Sequence, residues 1–314
     1  MMPATSVSPS VETGQVWQLG RHRLMCGDAT SKADVATLFA CERPTLVVTS
    51  PPYAKQRDYD RPIACWDSMM MGALDGHDFA EDVQMLINLG PLRKKSESIH
   101  YWHAWVALMR AECWSFCGQY VWDKMTPQAG QNHGFCYYEH EYILHFRKRK
   151  VLLNKTVRNK SAGRSFTGGN YRGANGLKRE PKAGVVQHHR PPGSFFRCYP
   201  NKHNKTGHPA VFPIALPSQL IASWQKPGCI TYDPFCGAGT TLLAAEQENV
   251  TGLGMEISPA YCAMAIARWN KQHGVTAAYL LGGAPPPRKL TSPLQLALSQ
   301  PELGHEQPSY FTIQ

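Results

Sequence analysis

Nine residues, Asp233-Pro234-Phe235-Cys236-Gly237-Ala238-Gly239-Thr240-Thr241, constrain this 314-residue chain more than any other stretch. The apolar run Cys229 to Tyr232 enters them as a strand, and Thr240 to Glu248 leaves them as a helix. That setting gives a glycine loop its meaning. Glycine lets the backbone turn sharply and approach a ligand closely, while the free N–H groups of a helix start face it. The next strand, Gly252 to Ile257, carries Glu256, 19 residues after Gly237. An acid at that offset accepts hydrogen bonds from ribose hydroxyls. Leu242 stands where a dinucleotide loop needs its third glycine, and no Gly-Lys-Ser/Thr ending marks a P-loop. The loop suits a nucleoside.

Around it, strand and helix patterns alternate. Strands are expected at 46–48, 119–122, 142–146, 229–232 and 252–257. Helices are expected at 99–117, 215–225, 240–248 and 259–272, and a further one through Phe79, Val83, Leu86 and Ile87 with Gly90 as its C-cap. Strands separated by helices imply a parallel sheet with crossovers. Hydrophobic residues make up 43% of the chain and charged residues 18%, which excludes a wholly disordered chain. No apolar run approaches a membrane span, and residues 1–13 lack the pattern of a secretory signal. The ten cysteines form no CxxC pair and read as reduced, cytosolic thiols.

The net charge of +10 has an uneven distribution. Residues 147–206 hold 16 Lys or Arg and a single acid, Glu180, so this segment carries +15 and the rest of the chain −5. The organisation expected is a tail at 1–13, one α/β body split into 14–146 and 207–280, the basic insert 147–206, and a proline-rich, disordered tail at 281–314.

A second loop, Thr49-Ser50-Pro51-Pro52-Tyr53, also ends an apolar strand. Ligand crevices of parallel sheets lie beyond the carboxyl ends of strands, so the two loops can share a cleft. Two prolines have fixed φ and no N–H, and they hold neighbouring carbonyls outward. Such carbonyls suit an exocyclic amine, and Tyr53 offers a face for an unstacked base.

These two loops resemble those of the amino-group DNA methyltransferases, which use S-adenosylmethionine (SAM) to methylate adenine N6 or cytosine N4. Ser50-Pro51-Pro52-Tyr53 is similar to the catalytic tetrapeptide of that family, and Phe235-Cys236-Gly237-Ala238-Gly239 to its cofactor loop. The catalytic loop comes first and the basic segment lies between the two, which resembles the permuted β group, whose target-recognition region sits in that interval. Leu24-Met25-Cys26-Gly27-Asp28 resembles the element whose acid contacts the SAM adenine. Gly207-His208-Pro209-Ala210-Val211-Phe212-Pro213 resembles the segment beside the methionine end, and His140-Glu141-Tyr142-Ile143-Leu144 the strand before the recognition region.

The resemblance implies a Rossmann-like α/β fold with a doubly wound, mostly parallel sheet and a basic target-recognition insert. It implies catalysis by Ser50, Pro51, Pro52 and Tyr53 on a flipped-out base in DNA. It also implies SAM binding by Asp28, His208, Pro209, Asp233, Phe235, Gly237, Gly239, Thr240, Thr241 and Glu256. Ser50 in the first motif position leans to cytosine N4, with adenine N6 the alternative. Ring-carbon methylation is disfavoured, because the only cysteine near a candidate loop, Cys236, lies inside the glycine loop.

Arg158, Lys160, Arg164, Arg172, Lys178 and Arg179 are the candidates for DNA phosphate contacts. Histidines 188, 189, 203 and 208 lack thiolate partners and zinc-site spacing, so no metal is expected. A soluble cytoplasmic enzyme is the expectation; a homodimer and a cognate restriction endonuclease stay open. Two competing readings are an amino methyltransferase acting on RNA or protein glutamine, whose relatives carry NPPY after the glycine loop, and a catalytically decayed DNA-binding protein.

Overall fold

The computed structural model describes residues 10–52, 65–126, 134, 136–168, 177, 183–200, 212–274 and 278–281. The hairpin β1 (Val16–Leu19) and β2 (His22–Cys26) leads into α1 (Lys32–Phe39) and β3 (Leu46–Thr49). After α2 (Trp66–Leu74) come β4 (Gln84–Leu89), the short strands β5 (Leu92–Lys94) and β6 (Glu97–Ile99), and α3 (His103–Ala111). The long pair β7 (Ser115–Asp123) and β8 (His140–Arg147) follows. Five short strands come next: β9 (Val157–Arg158), β10 (Ser165–Thr167), β11 (Ala183–Val185), β12 (His189–Arg190) and β13 (Phe195–Arg197). Then come α4 (Ala215–Trp224), β14 (Ile230–Asp233), α5 (Thr240–Gln247), β15 (Thr251–Glu256), α6 (Pro259–His273) and β16 (Ala278–Leu280).

Among the described residues, ten strands form one sheet in the order β13-β7-β8-β4-β3-β14-β15-β2-β1-β16. The five central strands, β4 to β2, run parallel. At one side β8 turns antiparallel to β4, β7 antiparallel to β8, and β13 parallel to β7. At the other side β1 and β16 are antiparallel. Apolar side chains of α1, α2 and α3 cover one face, and those of α4, α5 and α6 the other. This is the doubly wound arrangement that right-handed crossovers between parallel strands produce.

Two expectations need correction. The helix placed through Val83, Leu86 and Ile87 is strand β4, and all six of its residues are buried. A central parallel strand is apolar on both faces, so its run of Met85, Leu86, Ile87 and Leu89 matches helical spacing by accident. The helix placed at 99–117 spans only 103–111; residues from Ser115 onward belong to β7, which bulges between Phe116 and Gly118. A smaller difference concerns the basic segment. Its residues 195–197 form β13 in the main sheet, with Phe196 buried among Trp122, Trp224 and Ile143.

Among the described residues, no helix is long and apolar enough to cross a membrane. The terminal residues 1–9 and 282–314 lie outside the described residues.

Candidate active site

Parallel strands end together, and here β3, β14, β15 and β2 end on Thr49, Asp233, Glu256 and Cys26. Their registers pair Val47 with Tyr232, Asp233 with Gly254, and Glu256 with Cys26. Both candidate loops therefore leave the sheet at its carboxyl edge, from the adjacent strands β3 and β14.

A buried carboxylate joins them. Thr49 Oγ1 donates to Asp233 Oδ1 at 2.5 Å, and the Phe235 amide donates to the same oxygen at 3.1 Å. Thr241 Oγ1 donates to Oδ2 at 2.5 Å. Asp233 is 1% exposed. Burial pushes its pKa up to about 6, against the opposing pull of these three bonds. The side chains of Asp233 and Thr241 thus face each other, and they fix the residue before Ser50 to the start of the glycine loop and the first turn of α5.

The glycine loop itself is bound to β15. Gly237 and Gly239 take positive φ, 52° and 75°, and a Cβ on Gly239 would lie 2.9 Å from that of Ala265 in α6. Only glycine fits both the turn and the contact. The Gly237 amide donates to Glu256 Oε2 at 2.8 Å, and Ser258 N donates to Oε1 at 2.9 Å. Burial outweighs these bonds and pushes Glu256 up to about 7. Thr240 Oγ1 accepts from Arg268 at 3.1 Å, and the same guanidinium donates to the Ala238 carbonyl. Phe235 is half-buried against the core beneath α1–α3.

Beside this loop the chain leaves β2 through Gly27 and Asp28. Gly27 N donates to the Glu256 carbonyl at 3.0 Å. A Cβ at Gly27 would meet Asp34 Oδ2 at 2.9 Å and Met255 Sδ at 3.0 Å. Asp28 is half-buried, with Oδ1 accepting from Thr30 N and Oγ1, each at 2.8 Å.

On the other loop, Ser50 is half-buried and Pro51 buried. The indole of Trp66, at the start of α2, donates to the Pro52 carbonyl at 2.8 Å. Trp66 packs edge-on to Tyr101 at 5.0 Å and to Trp105 at 5.8 Å. Next to Ser50 stands Asn88, a residue that no sequence motif marks. The register pairs Thr49 with Ile87, so Ser50 and Asn88 come next on their two strands. Asn88 is 3% exposed, and its Nδ2 donates to the Tyr142 carbonyl at 3.2 Å. Its Oδ1 is buried with no hydrogen-bond partner among the described residues. A buried acceptor in that state is costly unless a ligand completes it.

Of the other candidates, Tyr53, His208, Pro209, Arg172, Lys178 and Arg179 lie outside the described residues. Arg158, Lys160 and Arg164 are exposed and stand apart from the two loops in the chain path. Strand β8 runs antiparallel to β4, and its last residue, Arg147, pairs with Gln84, the first residue of β4. The basic segment therefore starts at the amino edge of the sheet. There Arg149 pairs with Glu81 at 2.7 Å, and Asn154 Nδ2 donates to Ala222 O and Gln225 O near the end of α4. The segment rejoins the sheet at the opposite, carboxyl edge, where β13 runs parallel to the last residues of β7, Val121 to Asp123. Among the described residues no group of three or more His, Cys, Asp or Glu is placed to hold a metal ion.

A family model for N6/N4 DNA methylases matches residues 45–267. The orphan methyltransferase M.BamHII of Bacillus amyloliquefaciens is 34% identical over 140 residues, covering 41% of this chain and 52% of that one. The type II methyltransferase M.ScaI of Streptomyces caespitosus is 36% identical over 64 residues, covering 20% of this chain and 21% of that one. The matches thus span about half and about a fifth of these relatives. Among solved structures, the PvuII DNA methyltransferase (cytosine-N4-specific) aligns with a TM-score of 0.57 at 18% identity. The alignment covers 83% of this chain and 88% of that one. M1.HpyAVI aligns with a TM-score of 0.51 at 18% identity, over 79% of this chain and 98% of that one. These structural likenesses show a shared fold.

Proposed function

This chain belongs to the N6/N4 DNA methylase family, and on that premise we propose that it transfers a methyl group from SAM to an exocyclic base amine in DNA, at cytosine N4. The observation that carries the reading is the Thr49–Asp233–Thr241 hydrogen-bonded link, which holds the Ser50-Pro51-Pro52 loop and the glycine loop in one crevice. A loop for the base and a loop for the cofactor do no chemistry apart; transfer needs the two centres held in contact.

The residues on the cofactor side fit an adenosyl group. Gly237 and Gly239 leave the loop backbone open to close approach, and Glu256 is an acceptor fixed by two amides with lone pairs left for ribose hydroxyls. Asp28 would accept from the adenine, and Phe235 would offer an apolar flank. Asp233 and Thr241 serve the site from beneath by shaping the loop. When bound, SAM supplies a methyl group activated by the positive charge on its sulfur.

The remaining work falls to the other loop. An aromatic amine is a poor nucleophile, because its lone pair is delocalised into the ring. The Ser50 side chain and the Pro51 carbonyl accept hydrogen bonds from its two N–H groups and localise the pair on nitrogen. Pro51 is assigned rather than Pro52, because Trp66 already engages the Pro52 carbonyl. Asn88 Oδ1 is an alternative to the Pro51 carbonyl as the acceptor for one of these N–H groups. Tyr53 stacks on the base and stabilises the cation that develops at nitrogen. The base must be flipped out for the amine to reach the loop. Ser50, rather than an acid, favours cytosine N4 over adenine N6.

Arg158, Lys160 and Arg164 supply backbone contacts to DNA. Transfer of tritiated methyl from SAM to duplex DNA tests the assignment. Ser50→Ala and Tyr53→Ala should each retain SAM binding and lose most turnover; turnover at the wild-type rate in both would remove this loop from the chemistry.

A further inference from the structure

The basic segment leaves the sheet at the amino edge and rejoins it at the carboxyl edge beside β7, and a second projection, the hairpin β5–β6, follows β4 at that carboxyl edge, where the base must enter. We infer that the hairpin β5–β6 is a second DNA-binding element, in which Lys94 and Lys95 hold backbone phosphates beside the target base. The inference rests on the DNA methyltransferase reading above and adds a contact surface to it.

Placement is the first support. Strand β4 ends at Leu89, on the same edge as Thr49, and the hairpin follows after Gly90 and Pro91. Two residues past β6, the ring of Tyr101 lies 5.0 Å from that of Trp66, whose indole holds the Pro52 carbonyl. The hairpin root and the catalytic loop thus share one aromatic block.

Rigidity is the second. Arg93 turns inward: its guanidinium donates to Cys136 O at 3.2 Å and lies 4.8 Å above the Tyr138 ring. Tyr138 in turn donates its hydroxyl to Ser98 Oγ at 2.5 Å. The arm is therefore braced against the strand entering β8. An arm ordered before binding has little conformational entropy left to lose when DNA arrives.

The tip gives the third. Lys94 pairs with Glu97 in register, so Lys95 and Ser96 form a two-residue turn, both at positive φ, 48° and 68°. This is the turn usually given to Asn-Gly. Finding lysine in a conformation that lysine disfavours points to use of its charge at the tip. Lys94 and Lys95 are exposed, and among the described residues neither forms an ion pair. Ammonium groups act on phosphates as point charges, whereas reading a guanine edge calls for the guanidinium fork that Arg93 spends internally. The arm therefore positions the duplex without reading its sequence.

The test compares wild type with Lys94→Gln/Lys95→Gln in binding random-sequence duplex DNA at 50 to 200 mM salt, with SAM binding and thermal melting measured alongside. The variant should melt and bind SAM as wild type does. Its plot of log affinity against log salt should be shallower by about 2, one for each phosphate that is no longer neutralised. Lys94→Arg/Lys95→Arg should keep the wild-type slope. Equal slopes for wild type and the Gln variant would overturn the inference. If wild type binds DNA but transfers no methyl group, the enzymatic reading fails while the slopes still decide the hairpin. If it binds no DNA, both are overturned.

Discussion

At the carboxyl edge of the sheet each functional loop is tied to another loop, whereas the basic segment between β8 and β13 is held by very little. Asp233 joins β3 to α5, Glu256 joins β15 to the glycine loop, and Trp66 joins α2 to the proline pair. In the basic segment, β9 pairs with β12 over two residues and β10 with β11 over three, and Phe166 and Val185 stay exposed. The difference matches the two kinds of work proposed for these regions. Moving a methyl group between two bound partners needs atoms fixed to a fraction of an ångström. Gripping a phosphate backbone needs charge and reach, and tolerates a loosely packed scaffold.

If that contrast is right, removing a tie at the carboxyl edge should cost far more than removing charge from the basic segment. Asp233→Ala takes away three hydrogen bonds and strands two buried hydroxyls, so unfolding in urea should show a loss of roughly 3 kcal/mol, together with abolished turnover. Stability within about 0.5 kcal/mol of wild type would break the comparison at its strongest point.

Trp66→Phe keeps an aromatic ring beneath the loop but removes the donor to Pro52. We predict a fall in kcat of about tenfold with KM values nearly unchanged, the signature of a positioning residue. A pure packing role would instead appear in thermal melting with kcat intact.

The two buried acids add a pH dependence whose sign follows from linkage. Their ordinary values are 3.8 for Asp233 and 4.5 for Glu256, and in the folded protein both are raised, to about 6 and about 7. Between those values the folded state binds the extra protons, so stability of the ligand-free protein should fall as pH rises through that window. Glu256→Gln should flatten the part between pH 6 and 7. In wild type, SAM affinity should rise as pH passes about 7 and the carboxylate forms; an identical pH profile in the Gln variant would exclude Glu256 as its source.

The smallest effect on folding belongs to the basic segment. Arg158→Gln/Lys160→Gln/Arg164→Gln should change stability by less than about 0.5 kcal/mol and leave SAM binding intact, while flattening the salt dependence of DNA binding. A large loss of stability would mean that these cations are part of the packed body.

Much of the carboxyl edge was legible because its signals are local. A strand, a glycine turn and a helix start are consecutive in Asp233 to Thr241, and Ser50-Pro51-Pro52-Tyr53 states its own rigidity. What the ties do was not legible, since each depends on strand order. Asp233 read as a ligand for the cofactor, whereas its partners are Thr49, 184 residues away, and Thr241. Asn88 and Trp66 gave no signal either, because one sits in a strand that reads as a helix and the other matters only through where its indole points. Helix α1 could have been found: Ser31 accepts from Asp34 N, and Ser followed by Asp three residues later is a helix-start pattern. The composition of the basic segment was plain from the sequence. Its departure from the amino edge follows from β8 running against β4, and its return at the carboxyl edge from β13 pairing with the end of β7; no run of residues announces either.

The central claim is that one clamped crevice joins SAM to a base amine. Its most direct test is incubation of duplex DNA with methyl-labelled SAM and the purified protein, then nucleoside mass spectrometry. The account predicts label in N4-methylcytosine. Label in N6-methyladenine would contradict the role given to Ser50 in choosing the base, and no labelled nucleoside at all would contradict the claim itself.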